Sequence, residues 1–198
     1  SALASKANTT TVGTEAKATG ENSTTYGDSS TASGTNSAAF GFKATASGGD
    51  STSIGKGSSA TQQGSTAIGH VAHATGFRAT ALGTGSKANA SCALAVGWKA
   101  NATAINATAI GYTANAEGIN STAVGTSAKA SANYSSSYGT LANASGLASM
   151  AFGAGANANK TGAITHGVNS IASGSNSSTF GTEAQATEED AIAIGHTA

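Results

Sequence analysis

A glycine stands at every fourteenth residue from Gly13 to Gly195, with no insertion or deletion between them in a chain of 198 residues. Strict periodicity of this kind is the signature of a stacked-repeat architecture, in which each repeat is too small to bury its own apolar surface and depends on its neighbours. It overrides what composition alone would suggest. With 27 glycines, 9% charged residues and an abundance of Ala, Ser, Thr and Asn, an aperiodic chain would read as a flexible linker.

Let the residue before each glycine be column 1 and the glycine column 2. Column 1 then reads Val12, Tyr26, Phe40, Ile54, Ile68, Leu82, Val96, Ile110, Val124, Tyr138, Phe152, His166, Phe180 and Ile194, apolar or aromatic in every repeat but one. Column 7 is alanine throughout, from Ala4 to Ala186, column 5 is only Ala or Ser, and columns 12 and 14 are confined to Ala, Ser and Thr. Every Lys, Arg, Asp and Glu falls in columns 3, 4, 6 or 8 to 11. An ionised group in a low-dielectric interior costs several kcal/mol unless it is paired, so the seven charge-free columns, 1, 2, 5, 7, 12, 13 and 14, are expected to be the buried ones.

Two stretches of the repeat alternate as β-strands do: columns 12 to 1, as in residues 121–124, and columns 5 to 8, as in residues 128–131. They are separated by the column 2 glycine and by a second turn. That turn has Gly at column 9 (Gly20, Gly34, Gly48) and Asn or Asp at column 11 (Asn22, Asn36, Asp50), residue types that tolerate positive φ. Proline is absent, which suits strands that donate every ladder hydrogen bond. Two strands and two turns per repeat predict an all-β solenoid of fourteen coils, each strand pairing in parallel with its copies above and below.

Fourteen residues leave room for only a narrow roll, so columns 5, 7, 12 and 14 are read as small because they face one another inside. Alternation then directs columns 6 and 8 outward on one face and columns 13 and 1 outward on the other. The first face is polar, whereas the second is an apolar stripe on a rod about 65 to 70 Å long. A stripe of that size needs a cover, and a closed symmetric oligomer is the default way to supply it. A competing assignment turns column 1 into the roll and leaves the small columns at the subunit contact.

Nine acidic and nine basic side chains give zero net charge, so no patch dense enough to engage a run of phosphates is expected and nucleic acid is excluded as a partner. No apolar run approaches the roughly 20 residues that cross a bilayer, and no signal-peptide pattern opens the chain, so these residues are expected neither to insert in a membrane nor to carry its anchor. A single cysteine, Cys92, excludes a disulfide framework within one chain. Catalysis needs titratable neighbours in a concave site, and a regular convex roll with scattered charges offers none, so no enzyme activity, cofactor or metal is expected.

Asn-Ser-Thr-Ala-Val-Gly at 120–125, Asn-Ala-Thr-Ala-Ile-Gly at 106–111 and Asn-Ser-Ala-Ala-Phe-Gly at 36–41 resemble the head repeats of trimeric autotransporter adhesins, the YadA-like heads. The resemblance spans essentially the whole of residues 1–198, read as a single head domain. It implies a left-handed parallel β-roll, a homotrimer with column 1 as its seam, and display beyond the bacterial outer membrane on a stalk and anchor that are not among these residues. It further implies attachment to host extracellular matrix proteins or cell-surface receptors, and autoagglutination. Two other readings stay open: a passive spacer that projects another binding domain, and an ice-binding solenoid.

For an adhesin, the informative residues are those that break the polar rule in the turns. Column 3 carries Phe42, Trp98 and Tyr112, the last two in adjacent coils and expected to stack about one strand spacing apart. Column 10 carries Phe77, Ile105, Ile119 and Leu147. Large aromatic residues are enriched at binding hot spots, so these seven are the candidate ligand patch; packing against a neighbouring subunit is the alternative. His166 is expected to be a hydrogen-bonded structural histidine. His70, His73 and His196 fall in exposed columns without metal-site partners, and Cys92 is expected to be exposed and inert.

Overall fold

The computed structural model describes residues 2–198. Each repeat forms a coil of one long and one short strand. The long strands cover columns 13 to 1, from Thr10–Val12 to Ile192–Ile194, and the short strands cover columns 6 and 7, from Leu3–Ala4 to Gln185–Ala186. Both are shorter than the alternation predicts, because columns 5 and 12 already close the turns. The Ser30 N–H donates to the Gly27 carbonyl at 3.2 Å, and the Ser37 N–H to the Gly34 carbonyl at 3.3 Å.

The chain divides into two compact units, Ser1–Lys99 and Ala100–Ala198. In each, the long strands make one parallel sheet and the short strands another, always in register at a fourteen-residue offset. Thr24 pairs with Ala38 and Lys17 with Thr31 in the first unit; Thr122 pairs with Ser136 and Lys129 with Asn143 in the second. The molecule is thus an all-β parallel solenoid of about 14 turns.

Inter-coil bonding does not stop where the strands end. Within the sheets, Lys17 N–H donates to Ser30 O at 2.8 Å and Thr24 N–H to Ser37 O at 2.9 Å, both reaching forward to the next coil. In the turns, Gly27 N–H reaches back to Val12 O at 2.9 Å and Ser29 N–H to Thr14 O at 2.8 Å. At the opposite turn Asn36 N–H does the same to Glu21 O at 2.8 Å. The turns are therefore stacked elements of the ladder, which leaves few backbone groups in need of water.

The turn conformations correct one expectation. Column 2 glycines do hold positive φ, from 126° to 150°, and column 11 residues lie near 55°, as at Asn22 (54°) and Asp50 (56°). The column 9 glycines do not share it; column 4 does, as at Glu15 (57°), Lys43 (56°) and Leu141 (59°). Columns 4 and 11 are seven residues apart, so the coil contains two similar turns, each with its third residue left-handed. Glycine at column 9 has a different cause, close backbone approach. A Cβ on Gly34 would fall on the carbonyl of Gly48 in the next coil, and the Gly34 N–H joins that of Ser33 on the single carbonyl of Ala46, at 3.4 and 3.0 Å.

The interior contains nothing larger than threonine. Away from the end coils, columns 5, 7, 12 and 14 are buried, as predicted, with Ala18, Ala46, Ala102 and Ala144 fully so, and Thr25, Thr165 and Thr179 are the bulkiest side chains inside. Many serines of columns 5 and 12 bond back to the turn that precedes them: Ser23 Oγ to Gly20 O at 2.6 Å, Ser37 Oγ to Gly34 O at 2.6 Å, Ser30 Oγ to Gly27 O at 2.7 Å. That bond explains why a hydroxyl side chain recurs at these columns beside alanine. Ser121 and Ser149 are equally buried, yet their hydroxyls have no partner.

Column 1 lies outside the roll. Ile54, Ile68, Ile110 and Tyr138 are exposed, Phe40, Leu82, Val96 and Phe152 are half-buried, and Ile194 in the last coil is 72% exposed against 38% for Ile68. The competing assignment, with column 1 inside, is therefore excluded, and of the seven charge-free columns only 5, 7, 12 and 14 are buried within one chain. Columns 1 and 13 form an outer face.

Two consequences follow for stability in denaturant titrations. Ala46→Leu, at an inward position between two sheets that approach to alanine contact, is expected to destabilise by about 3 kcal/mol through overpacking. Ser37→Ala is expected to lose about 1 kcal/mol with its hydrogen bond, whereas Ser121→Ala, which removes an unsatisfied buried hydroxyl, is expected to be neutral or stabilising.

Candidate functional site

The turns are where this fold displays side chains. With columns 4 and 11 left-handed and their N–H groups bonded to the coil before, the side chains of columns 3, 4, 10 and 11 leave the roll toward solvent. All seven turn residues singled out in the sequence, Phe42, Phe77, Trp98, Ile105, Tyr112, Ile119 and Leu147, are exposed. Trp98 belongs to the first unit and Tyr112 to the second.

In Ala100–Ala198 one turn edge carries an apolar ridge. Ile105, Ile119 and Leu147 occupy column 10, and Tyr134 occupies column 11 of the coil between the last two. The ridge is spaced by the ladder itself: Asn120 N–H donates to Ile105 O at 2.9 Å and Tyr134 N–H to Ile119 O at 2.8 Å. Beside it runs a short amide ladder, Asn106 Nδ2 to Asn120 Oδ1 at 2.9 Å. In Ser1–Lys99 the turn aromatics are paired with cations instead, as at Trp98, where Lys99 Nζ lies 4.2 Å from the ring centroid.

Sequence reasoning missed the large apolar residues outside columns 3 and 10. Leu141 at column 4 and Tyr134 at column 11 are 64% and 59% exposed, and Val71 at column 4 is also exposed. The signal was present. Column 4 contains Gly57, Gly85, Gly155 and Asn169, residue types that accept left-handed φ, and this matches column 11 and marks a second outward turn position.

The outer face of columns 1 and 13 is a distinct surface, and in the second unit it contains an aromatic stack. Tyr138 and Phe152 have ring centroids 5.0 Å apart, Phe152 and His166 4.7 Å, and His166 and Phe180 5.0 Å, with interplanar angles of 1°, 10° and 5°. Tyr26 and Phe40 make the same contact at 5.4 Å in the first unit. In-register parallel strands impose this geometry, because identical columns lie one strand spacing apart. His166 is held by its two ring neighbours; among the described residues no hydrogen bond reaches its imidazole, contrary to expectation. Its flat ring substitutes for an apolar side chain without interrupting the stack.

Among the described residues no three His, Cys, Asp or Glu side chains come together in a way that could hold a metal ion. His70 and His196 are exposed and His73 is half-buried on a short strand. Cys92 is a free, exposed thiol at a left-handed turn position, φ 57°.

Comparison with protein families matches the YadA head domain repeat (2 copies) over residues 4–24, 27–44, 46–72, 74–100, 93–114, 116–142, 144–164, 166–183 and 172–198. The chain belongs to the YadA head domain family. The match identifies the chain as a YadA-like head, an adhesin domain. No curated protein sequence matches the chain. What distinguishes this YadA head is therefore read from its own departures from the repeat: the turn residues and the aromatic run in column 1.

The stack makes a graded prediction. Phe152→Ala removes ring contacts on both sides, while Phe180→Ala removes one, so thermal or chemical denaturation is expected to rank Phe152→Ala as the more destabilising, by about 1 kcal/mol.

Proposed function

We propose that this YadA head is the adhesive part of a bacterial trimeric autotransporter, a single head domain made of three left-handed rolls and displayed at the cell surface by an outer-membrane anchor. Its task in this reading is to attach the bacterium to host extracellular matrix proteins or cell-surface receptors, and its exposed surface also serves autoagglutination.

The observation that carries the adhesive role is the placement of the large side chains. The core needs only Ala, Ser and Thr, so bulky residues at Phe42, Phe77, Trp98, Ile105, Tyr112, Ile119 and Leu147 contribute nothing to packing inside the roll. Exposed apolar side chains in such number cost solubility unless they are used. Trp and Tyr in particular supply large contact area at low conformational cost.

Trimer formation is supported by the other exposed surface. The seam in this reading is column 1, from Val12 to Ile194, with column 13 beside it, all uncharged. Burying it around a symmetry axis satisfies the charge exclusion that a single chain leaves unexplained, since columns 1 and 13 are barred to charge although one roll does not bury them.

Solution mass and ligand binding test the two halves of the proposal. Sedimentation or native mass spectrometry is expected to give three chains per particle, and Ile68→Lys in the seam to shift the population to monomer. Against whichever matrix protein or receptor the head binds, Trp98→Ala or Tyr112→Ala is expected to cost about 2 kcal/mol, roughly thirty-fold in affinity. Unchanged affinity for both variants across every ligand bound would remove these two residues from the patch, and a head that binds nothing is a spacer.

A further inference from the structure

Three exposed aromatic side chains in Ser1–Lys99 are each faced by a cation. Lys43 Nζ lies 5.1 Å and Lys56 Nζ 5.9 Å from the centroid of Phe42, Lys99 Nζ lies 4.2 Å from that of Trp98, and the Arg78 guanidinium lies 5.2 Å from that of Phe77. Phe42 and Trp98 are both in column 3 and their cations in columns 3 and 4, so these five residues share one turn edge of the unit. Phe77 and Arg78 lie on the opposite turn.

Zero net charge hides an uneven distribution. From residue 40 to residue 99 the cations are Lys43, Lys56, Arg78, Lys87 and Lys99, and the one acid is Asp50. That carboxylate already accepts the Asn36 side-chain amide at 2.9 Å. Among the described residues the one ion pair, Lys129 with Glu117 at 4.0 Å, is in the other unit. The lysines of this edge are therefore steadied by aromatic faces rather than neutralised by carboxylates. A cation–π contact of this exposed kind is worth about 0.5 to 1 kcal/mol, enough to bias the position of an ammonium while leaving its other donors open to an incoming anion.

Coil stacking arranges these charges along a line. Lys43 and Lys56 are in adjacent coils, and Lys99 stands four coils beyond Lys43, about 19 Å away at the strand spacing. A line of unpaired cations with aromatic rings at its two ends suits a linear polymer bearing anionic groups at intervals, whose sugar rings offer apolar C–H faces to Phe42 and Trp98. Single-stranded nucleic acid fits less well. It binds through successive stacking platforms, whereas Lys56, His70 and Thr84 occupy column 3 between the two aromatics.

The geometry points to a binding site for a linear sulfated polysaccharide along this edge, with Lys43, Lys56 and Lys99 taking sulfate groups and Phe42 and Trp98 taking sugar faces. The inference rests on the reading of the chain as an adhesive head and names one class of ligand for it.

The test is titration of the assembled head, by calorimetry and by salt elution, with heparin, fully desulfated heparin and a single-stranded oligonucleotide of similar length. Heparin is expected to bind, and desulfation to abolish binding. The double variant K43Q/K56Q is expected to lose about ten-fold or more in affinity with a shallower salt dependence, and Phe42→Ala to weaken binding with the salt dependence unchanged. The control K17Q/K87Q removes two lysines from the outer face of the short-strand sheet in the same unit and is expected to bind as the parent does. No heparin binding, oligonucleotide binding of equal strength, or an equal loss in K17Q/K87Q would each overturn the site. A panel of matrix proteins measured in parallel separates the two readings. Matrix binding without heparin binding sinks this inference alone, and binding to neither sinks the adhesive role as well.

Discussion

Everything in this structure hangs on the backbone hydrogen bonds between successive coils. A core of alanine, serine and threonine buries little apolar surface per residue, far less than the Leu and Ile of an ordinary domain would. The ladder makes up the difference by being nearly unbroken: strands bond forward, turns bond back, and serine hydroxyls close the corners. Side-chain size is then dictated by the ladder, since two sheets joined by such short turns cannot separate enough to admit a larger residue.

This dependence explains how much could be read without a structure. Fourteen-residue spacing, the narrow core of columns 5, 7, 12 and 14, and the outward stripe at column 1 all follow from side-chain size and charge exclusion, which are written directly into residues such as Ala46, Ser37 and Ile68. What was misread concerns backbone geometry. Gly20 and Gly34 looked like positive-φ glycines, but they are there because the next coil passes too close for a Cβ. Left-handed φ at column 4 was missed because Glu15, Lys43 and Val71 are poor advertisements for it. Their strain is tolerated where the N–H is anchored to the preceding coil, as Lys43 is to Asp28 O and Val71 to Lys56 O.

The candidate surface was legible to a similar degree. Phe42, Trp98 and Leu147 stood out against a polar turn consensus, and all are exposed. Tyr134 and Leu141 were passed over because only one position of each turn was searched for departures. The cation–aromatic pairing at Phe42 and Trp98 depends on side-chain direction across adjacent coils, which column membership alone does not give. His166 shows the converse: a residue that looked anomalous in the sequence is unremarkable in space, one flat ring among four.

The exact fourteen-residue register has a further consequence for how such a protein can change. Within each unit the internal coils meet their neighbours through the same backbone bonds at the same offset, so gain or loss of one repeat leaves the backbone ladder whole and changes only which side chains are neighbours. Recombination between repeats in the coding sequence would thus lengthen or shorten the head in whole coils, and shuffle which turn residues stand side by side, without passing through a misfolded intermediate form. The ladder makes the number of coils, and the order of what they display, free variables.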